Sequence, residues 1–310
     1  CNETDVWPEA SPEVRQQVWT RAKNHALGVF YFLQNDERVL SNIREEMNQW
    51  NLPKDEFEEY GHWPPLLYVR EGRRLVGEYV YSEKDGKPEE GSTRAPAFED
   101  AVAIGDYNWN SHGTYYTCGC GEERELVGNL SSGTRPWQVT YRVLLPKHVD
   151  GLLSPVPVST SRVAYGGFRQ EPTWTAIGQA AGLAAAQAVK EGIEPRNVNV
   201  EKLQDRLHEL GAITFYTSDV PPDSPYFKAV QYFGNRGLFQ ELYDPEKVPP
   251  ARLKGLGPMV QWVEAIPYHD IQPERKMDTE LAEKWMEKIS ITDNSLVKKA
   301  SNMTRGEFLN

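Results

Sequence analysis

From Pro172 to Gly192 the chain carries a helical stretch with almost no bulk on it. Proline tolerates the first helical turn because its missing N–H would be unpaired there anyway. Behind it, Ala176, Gly178, Ala180, Ala181, Gly182, Ala184, Ala185, Ala186 and Ala188 cover nearly every face. Large side chains would hold a neighbour at ordinary helix spacing, whereas these let a backbone or a flat ligand come close. The free N–H groups at the helix start, at the positive end of its dipole, suit an anionic or electron-rich group. A strand-like run at 152–158 and a segment through Gly166 and Gly167 lead into it.

The elements before this stretch follow from local signals. Ser11-Pro12-Glu13 is a helix start, and Val14, Val18, Ala22, Ala26, Val29, Phe30 and Leu33 recur at helical spacing, which predicts an apolar stripe against a core. A second helix is expected over 37–49, ending before the Asn51-Leu52-Pro53 break. Residues 66–69, 75–81, 101–104 and 137–145 read as strands, and residues 82–100 as a polar excursion. Alternation in Val139, Tyr141 and Val143 puts Thr140 and Arg142 on the opposite strand face, where Arg142 can reach a site.

Two stretches carry candidate chemistry. Between the first two strands lies Arg70-Glu71-Gly72-Arg73-Arg74, whose guanidinium forks can clamp a carboxylate or phosphate. A surface salt-bridge turn is the competing reading. After residue 104, Asp106, Asn108, Asn110, Ser111 and His112 interleave with Tyr107, Trp109, Tyr115 and Tyr116. Donors and acceptors among flat aromatic faces match a sugar-like, polyhydroxylated substrate. Oxidation at a carbon bearing a hydroxyl needs a base for the hydroxyl proton, and His112 is the first choice; an aromatic turn with a solvated histidine is the alternative.

A net charge of −11 argues against a nucleic-acid partner, and no uninterrupted apolar run is long enough to span a bilayer. Three cysteines cannot build a disulfide framework, and Cys118-Gly119-Cys120 lacks zinc-site spacing, so no metal is expected. Mature bacterial lipoproteins begin with cysteine, so Cys1 leaves a periplasmic or cell-surface location open.

Arg169-Gln170-Glu171-Pro172 followed by Gly178-Gln179-Ala180-Ala181-Gly182 resembles the C-terminal flavin-contacting segment of the FAD-dependent oxidoreductase family of bacterial polysaccharide loci. The blocks Gly61-His62-Trp63-Pro64, Leu67 to Arg74, Ala103 to Asn108, Ser111-His112 and Tyr141 to Lys147 agree with it, so the resemblance spans roughly residues 7–210. It implies FAD as cofactor, contacted by Ser161, Arg162, Gly166, Gly167, Arg169, Glu171, Pro172, Thr173, Gly178 and Gln179. It also implies catalytic roles for His112, Arg142 and His62, and substrate contacts from Arg70, Asn110 and Ser111. Such enzymes begin with a GxGxxG turn that holds the FAD pyrophosphate. No GxGxxG occurs in this chain, so an N-terminal FAD-binding segment or a separate chain is expected as partner.

The expected class is α+β with α/β flavoprotein-like character: a mixed-sheet substrate domain with packed helices over 1–214, then a small helical domain over 215–310. In the latter, Asp219-Val220-Pro221, Gly237-Leu238-Phe239 and Thr304-Arg305-Gly306-Glu307-Phe308 resemble the S-layer homology repeat at stretched spacing, with helices expected near 258–265 and 278–289. A non-catalytic polysaccharide-binding protein and a carboxylate-based hydrolase or lyase are the other classes compatible with these residues.

Overall fold

A computed structural model of the chain describes residues 6–88, 92–117, 124–242 and 269–310. They group into two units: Cys1–Arg73 with Tyr116–Glu125, and Arg74–Tyr115 with Leu126–Asn310. The cysteine pair at 118 and 120 and the helix expected near 258–265 lie outside the described residues.

In the first unit, helix α1 (Pro12–Asn35) starts where its cap predicts, with Ser11 Oγ accepting the Val14 N–H at 3.4 Å. Its apolar residues do not form a buried stripe. Only Val18 is buried, while Phe30 and Tyr31 face outward. Helix α2 (Ser41–Met47) is shorter than expected because Asp36 turns the chain first, accepting from the Arg38 N–H at 3.0 Å and from its guanidinium. Gln34 stitches the two helices, donating to the carbonyls of Met47 at 2.9 Å and Trp50 at 3.1 Å. Residues 66–69 join no strand ladder.

The second unit is α+β, as the residue patterns predict, with its strands in short ladders. Strand β1 (Ala101–Gly105) pairs antiparallel with β6 (Trp137–Thr140), Gly105 opposite Trp137. Strand β2 (Trp109–Ser111) pairs with β5 (Leu130–Ser132), Asn110 opposite Ser131. A third ladder, β3 (Thr114–Thr117) with β4 (Arg124–Val127), has residues in both units. Residues 75–81 and 152–158 form no strands and are bent at 78–79 and 155–157. They are tied in by separate bonds, such as Leu75 N–H to Pro157 O at 2.7 Å and Tyr81 N–H to Ser159 O at 3.0 Å, and by isolated bridges at Gly77 and Tyr81.

The strand expected over 137–145 stops at Thr140. There Asp100 captures the chain: its carbonyl accepts the Tyr141 N–H at 2.8 Å, and its carboxylate accepts from Thr140 Oγ1 at 2.5 Å and Arg142 Nε at 2.8 Å. Tyr141–Leu144 becomes a 3-10 turn, so Arg142 is not a strand-face residue.

Gly166 and Gly167 lie inside helix α3 (Arg162–Phe168), which packs on β2. A Cβ on Gly166 would sit 2.4 Å from the Asn110 carbonyl oxygen, and one on Gly167 would sit 2.6 Å from the Trp109 ring. The two glycines therefore let helix and strand backbones meet. Under that contact Tyr81, Trp109, Trp137 and Phe168 are fully buried, with Trp137 and Phe168 ring centroids 4.5 Å apart. Helix α4 (Glu171–Glu191) packs on β1 through Thr173, Ile177, Ala180, Ala181, Ala184 and Ala188, and Gly192 ends it at φ 66°. Helix α5 (Val200–Glu209) covers α4 and β1, and Gln204 Nε2 donates to the Glu99 and Ala101 carbonyls at 2.7 and 2.8 Å.

Within this unit one hydrophobic cluster runs through Leu207 and a second starts at Phe215. The second holds helices α6 (Phe227–Asn235), α7 (Thr279–Lys288), α8 (Asn294–Ala300) and α9 (Arg305–Leu309). Between the clusters runs a buried polar seam. Gln138 Nε2 donates to Thr214 O at 2.7 Å and Asn235 Oδ1 at 2.8 Å, and Gln231 Oε1 accepts the N–H groups of Thr214 and Phe215, each at 2.8 Å.

Candidate functional site

The elbow between α3 and α4 gathers most of the expected cofactor residues. Ser161 caps α3, its Oγ accepting the Ala164 N–H at 3.1 Å, and the exposed Arg162 donates from Nη2 to the His112 carbonyl at 3.5 Å. Arg169 ends α3. Its side chain is nearly fully buried, and Nη2 donates to the Asn110 carbonyl at 3.3 Å. Its Nε has no partner, and among the described residues no carboxylate pairs with it.

Helix α4 then begins without a side-chain cap: Gln170 stands at the cap position, Glu171 and Pro172 open the first turn, and Thr173 faces the core. A helix start leaves its first N–H groups without intrahelical partners. Nearby, the buried Nε1 of Trp174 and Oγ1 of Thr160 also lack partners. Trp174 lies against Tyr165, ring centroids 6.4 Å apart, and Arg74 stands over the Tyr165 ring while its Nε donates to the Thr160 carbonyl at 3.2 Å. Buried polar groups are ordinarily hydrogen-bonded. Three such groups without a partner fall within residues 160–174, and others stand at Tyr81, Trp109 and Arg305. Further along α4, a Cβ on Gly178 or Gly182 would meet nothing within 4 Å, and Gln179 is exposed. That face is not used for packing among the described residues.

Asn110, Ser111 and His112 reach the same neighbourhood from β2. Asn110 gives its backbone carbonyl to Arg169, Ser111 is buried, and His112 is exposed just beyond the strand. Arg142 is engaged elsewhere. It pairs with Asp100 and stands over the Tyr79 ring at 4.5 Å, and the Asp100 hydrogen bond raises its pKa above the ordinary arginine value. Burial, with a 2.7 Å hydrogen bond to Asp85, pushes the Tyr79 hydroxyl up to about 12, so this cluster is a fixed framework at neutral pH.

His62 and Arg70 belong to the first unit. His62 has a left-handed backbone at φ 60° with Nδ1 3.2 Å from the Glu56 carbonyl, and Arg70 is exposed over the Tyr68 ring. Thr160 and Tyr165 are not marked by any sequence signal. Only the folded elbow singles them out.

The sequence matches the FAD dependent oxidoreductase family over residues 1–207. The chain belongs to that family. Comparisons with curated proteins and with solved structures gave no match. The matched span ends where the first hydrophobic cluster ends, at Leu207. FAD is the cofactor of a flavin-dependent oxidoreductase of this kind, and the elbow fits it. The flavin ring presents a row of nitrogen and carbonyl acceptors, and the orphaned Arg169 Nε, Trp174 Nε1 and Thr160 Oγ1 are donors. No helix among the described residues is long and apolar enough to cross a membrane, and no cluster of three or more of their His, Cys, Asp or Glu side chains is arranged to hold a metal ion.

Proposed function

We propose that the chain oxidises a small hydroxylated substrate of carbohydrate type, and that the α3–α4 elbow is where it meets FAD. The observation carrying this reading is the set of buried, partnerless donors at Arg169, Trp174 and Thr160 in a chain of this family. When bound, the cofactor supplies a two-electron acceptor for the hydride of a carbinol carbon; the protein supplies orientation and charge. Ser161, Arg162, Glu171, Pro172 and Thr173 flank those donors, Gly166 and Gly167 bring β2 against α3, and Gly178 and Gln179 keep an outer face of α4 free of bulk.

In this reading His112 takes the hydroxyl proton on an imidazole nitrogen, since its side chain is exposed beside Asn110 and Ser111, which orient the substrate. Arg142, already neutralised by Asp100, acts through the framework beneath. For His62 and Arg70 the proposed positioning roles rest on sequence resemblance alone. We further take 1–214 as the catalytic part and 215–310 as a degenerate S-layer-homology-like module docked on it. Its support is the pair of hydrophobic clusters and the capping box at Thr304 and Glu307. A bacterial polysaccharide-locus setting, and a supplementary FAD-binding segment, complete the proposal.

The test is the visible spectrum of the purified full chain after addition of FAD, with and without any co-purifying polypeptide, followed by turnover of sugar-alcohol and aldose substrates. Co-eluting flavin bands and substrate-dependent bleaching are expected. Absence of flavin uptake under both conditions overturns the reading. In an active preparation, His112→Ala should lower kcat by about 100-fold or more, and unchanged kcat removes His112 from the proton-transfer role.

A further inference from the structure

The two buried histidines of the chain stand on the same joint. Of six histidines, His25, His112 and His148 are exposed and His62 is half-buried, while His208 and His269 are buried. Both lie between the hydrophobic clusters of the second unit. His208 on α5 closes the polar seam, its Nε2 2.9 Å from Thr214 Oγ1. His269 belongs to a second tie: its Nε2 is 3.0 Å from the Thr93 carbonyl, and Arg94 donates to the carbonyls of Tyr216 and His269.

The hydrogen bonds of the seam run one way. Backbone N–H groups fix both of its glutamines, since Gln138 Oε1 accepts from Phe98 at 2.6 Å and Gln231 Oε1 accepts from Thr214 and Phe215. Gln138 Nε2 therefore donates to Asn235 Oδ1, which leaves Asn235 Nδ2 to donate to Thr214 Oγ1 at 2.9 Å. The Thr214 hydroxyl proton then faces two acceptors, the twice-used Gln231 Oε1 at 3.4 Å and His208 Nε2 at 2.9 Å. The shorter contact makes Nε2 the acceptor, so the neutral ring carries its proton on Nδ1. A second proton can enter only at Nε2. It turns the last acceptor into a donor, drives the hydroxyl onto the 3.4 Å contact and puts a charge in a buried seam.

The surroundings oppose that charge. From α6 come the edge of the Phe227 ring and the Lys228 ammonium, and Glu209 on α5 is shared between Lys228 and Arg206. Strand β1 is uncharged, and Glu191 at the end of α4 is paired with Lys202. Burial, with Lys228 adding to it, holds the His208 pKa down to about 4. Burial together with Arg94 and Arg135 holds that of His269 down to about 3.

We propose that the joint is an acid-released latch: proton uptake by His208 and His269 parts the C-terminal helices from the first cluster while both clusters stay folded. Parting lays both rings open to water, where each takes up a proton at the ordinary histidine value. The parted form is therefore favoured as pH falls from about 6.5 toward the folded values. Above that range both rings are neutral and the latch is shut.

The test is native-state hydrogen exchange of the full chain, each rate referred to that of unstructured peptide at the same pH. The Thr214 and Phe215 amides, both held by Gln231, report parting, and amides of β6 and α7 report unfolding of the two clusters. Between about pH 6 and 4.5, opening at Thr214 and Phe215 should grow by about a hundredfold per pH unit, a factor of ten for each ring, and should exceed that of β6 and α7. His208→Gln should reduce the dependence to about tenfold. Ring nitrogen shifts of His208 at neutral pH, assigned by their loss in that variant, should place the proton on Nδ1. Opening that ignores pH, or that equals cluster unfolding throughout, overturns the proposal. A dependence of only about tenfold in the parent chain, meaning release of one ring, overturns it as well, as does a variant that keeps the full dependence or a neutral ring protonated on Nε2. The exchange measurements on the parent chain need no substitution, so they decide even where His208→Gln fails to fold.

Discussion

Glycines in this chain serve opposite purposes, and single methyl groups separate them. At Gly166 the nearest obstacle to a Cβ is a backbone carbonyl, which cannot swing aside as a flexible side chain would. Gly166→Ala should therefore cost about 3 kcal/mol, the upper range for overpacking, read as a lower urea midpoint with unchanged slope. At Gly178 a Cβ meets nothing, so Gly178→Ala should stabilise the cofactor-free chain by about 0.5–1 kcal/mol through helix propensity. If the open face of α4 approaches the cofactor or its carrier, the same variant should weaken FAD binding while raising stability. A variant that gains stability with FAD binding intact assigns that face to solvent. Sequence marked both glycines as cofactor contacts. What it could not reveal is that β2 lies against one and nothing lies against the other, because that depends on residues about fifty positions away.

Whole elements were legible where their signals were local. α1 follows from Ser11 and Pro12, and α4 from Pro172, the alanine run and Gly192. Extended segments were legible only in part: 101–104 is a strand, but residue type does not say whether a partner ladder exists, so 75–81 and 152–158 have strand-like composition yet find isolated bonds, and 137–145 is interrupted after Thr140 by Asp100 from elsewhere in the chain. The candidate site divides likewise. Arg169 stood out within its motif, whereas its burial and lack of a counter-ion emerge only from folding. Two histidines on this scale set the acid limit of the fold. Burial lowers the His208 pKa to about 4, with Lys228 adding to the effect, and lowers that of His269 to about 3, aided by Arg94 and Arg135. Both are neutral in the folded chain and take up protons more readily when unfolded. Stability is therefore full above the ordinary histidine value and falls as pH drops from about 6.5 toward those folded values, by roughly 1.4 kcal/mol per pH unit for each ring. Denaturant titrations between pH 7 and 4.5 should show that slope, and His208→Gln should flatten it by about half.

On the scale of the whole molecule, the polar seam at Gln138, Thr214, Gln231 and Asn235 decides whether the two hydrophobic clusters of the second unit melt together. Gln231 satisfies three buried backbone groups at once: the N–H of Thr214, the N–H of Phe215 and, at 2.9 Å, the Phe215 carbonyl. Gln231→Ala strands all three and should cost about 3 kcal/mol or more. The parent chain should show coincident unfolding by circular dichroism and by hydrogen exchange at residues 137–140 and 279–288. In the variant, exchange at 279–288 should become the faster of the two; coincident exchange would mean that the clusters are coupled by something other than the seam.

The second cluster has a clasp of its own. The Asp219 carboxylate receives the N–H groups of Ile271 at 2.9 Å and Gln272 at 2.6 Å, and so closes a chain loop across a sequence separation of 52 residues. The entropy of closing a loop grows only with the logarithm of its length, about 0.6 kcal/mol for each doubling. Once the clasp is made, the length of sequence between its two halves is nearly free to vary. An inserted peptide at the exposed turn of Pro222 and Asp223, inside that loop, should be borne with little loss of stability, which makes this the natural point at which to graft a tag or reporter.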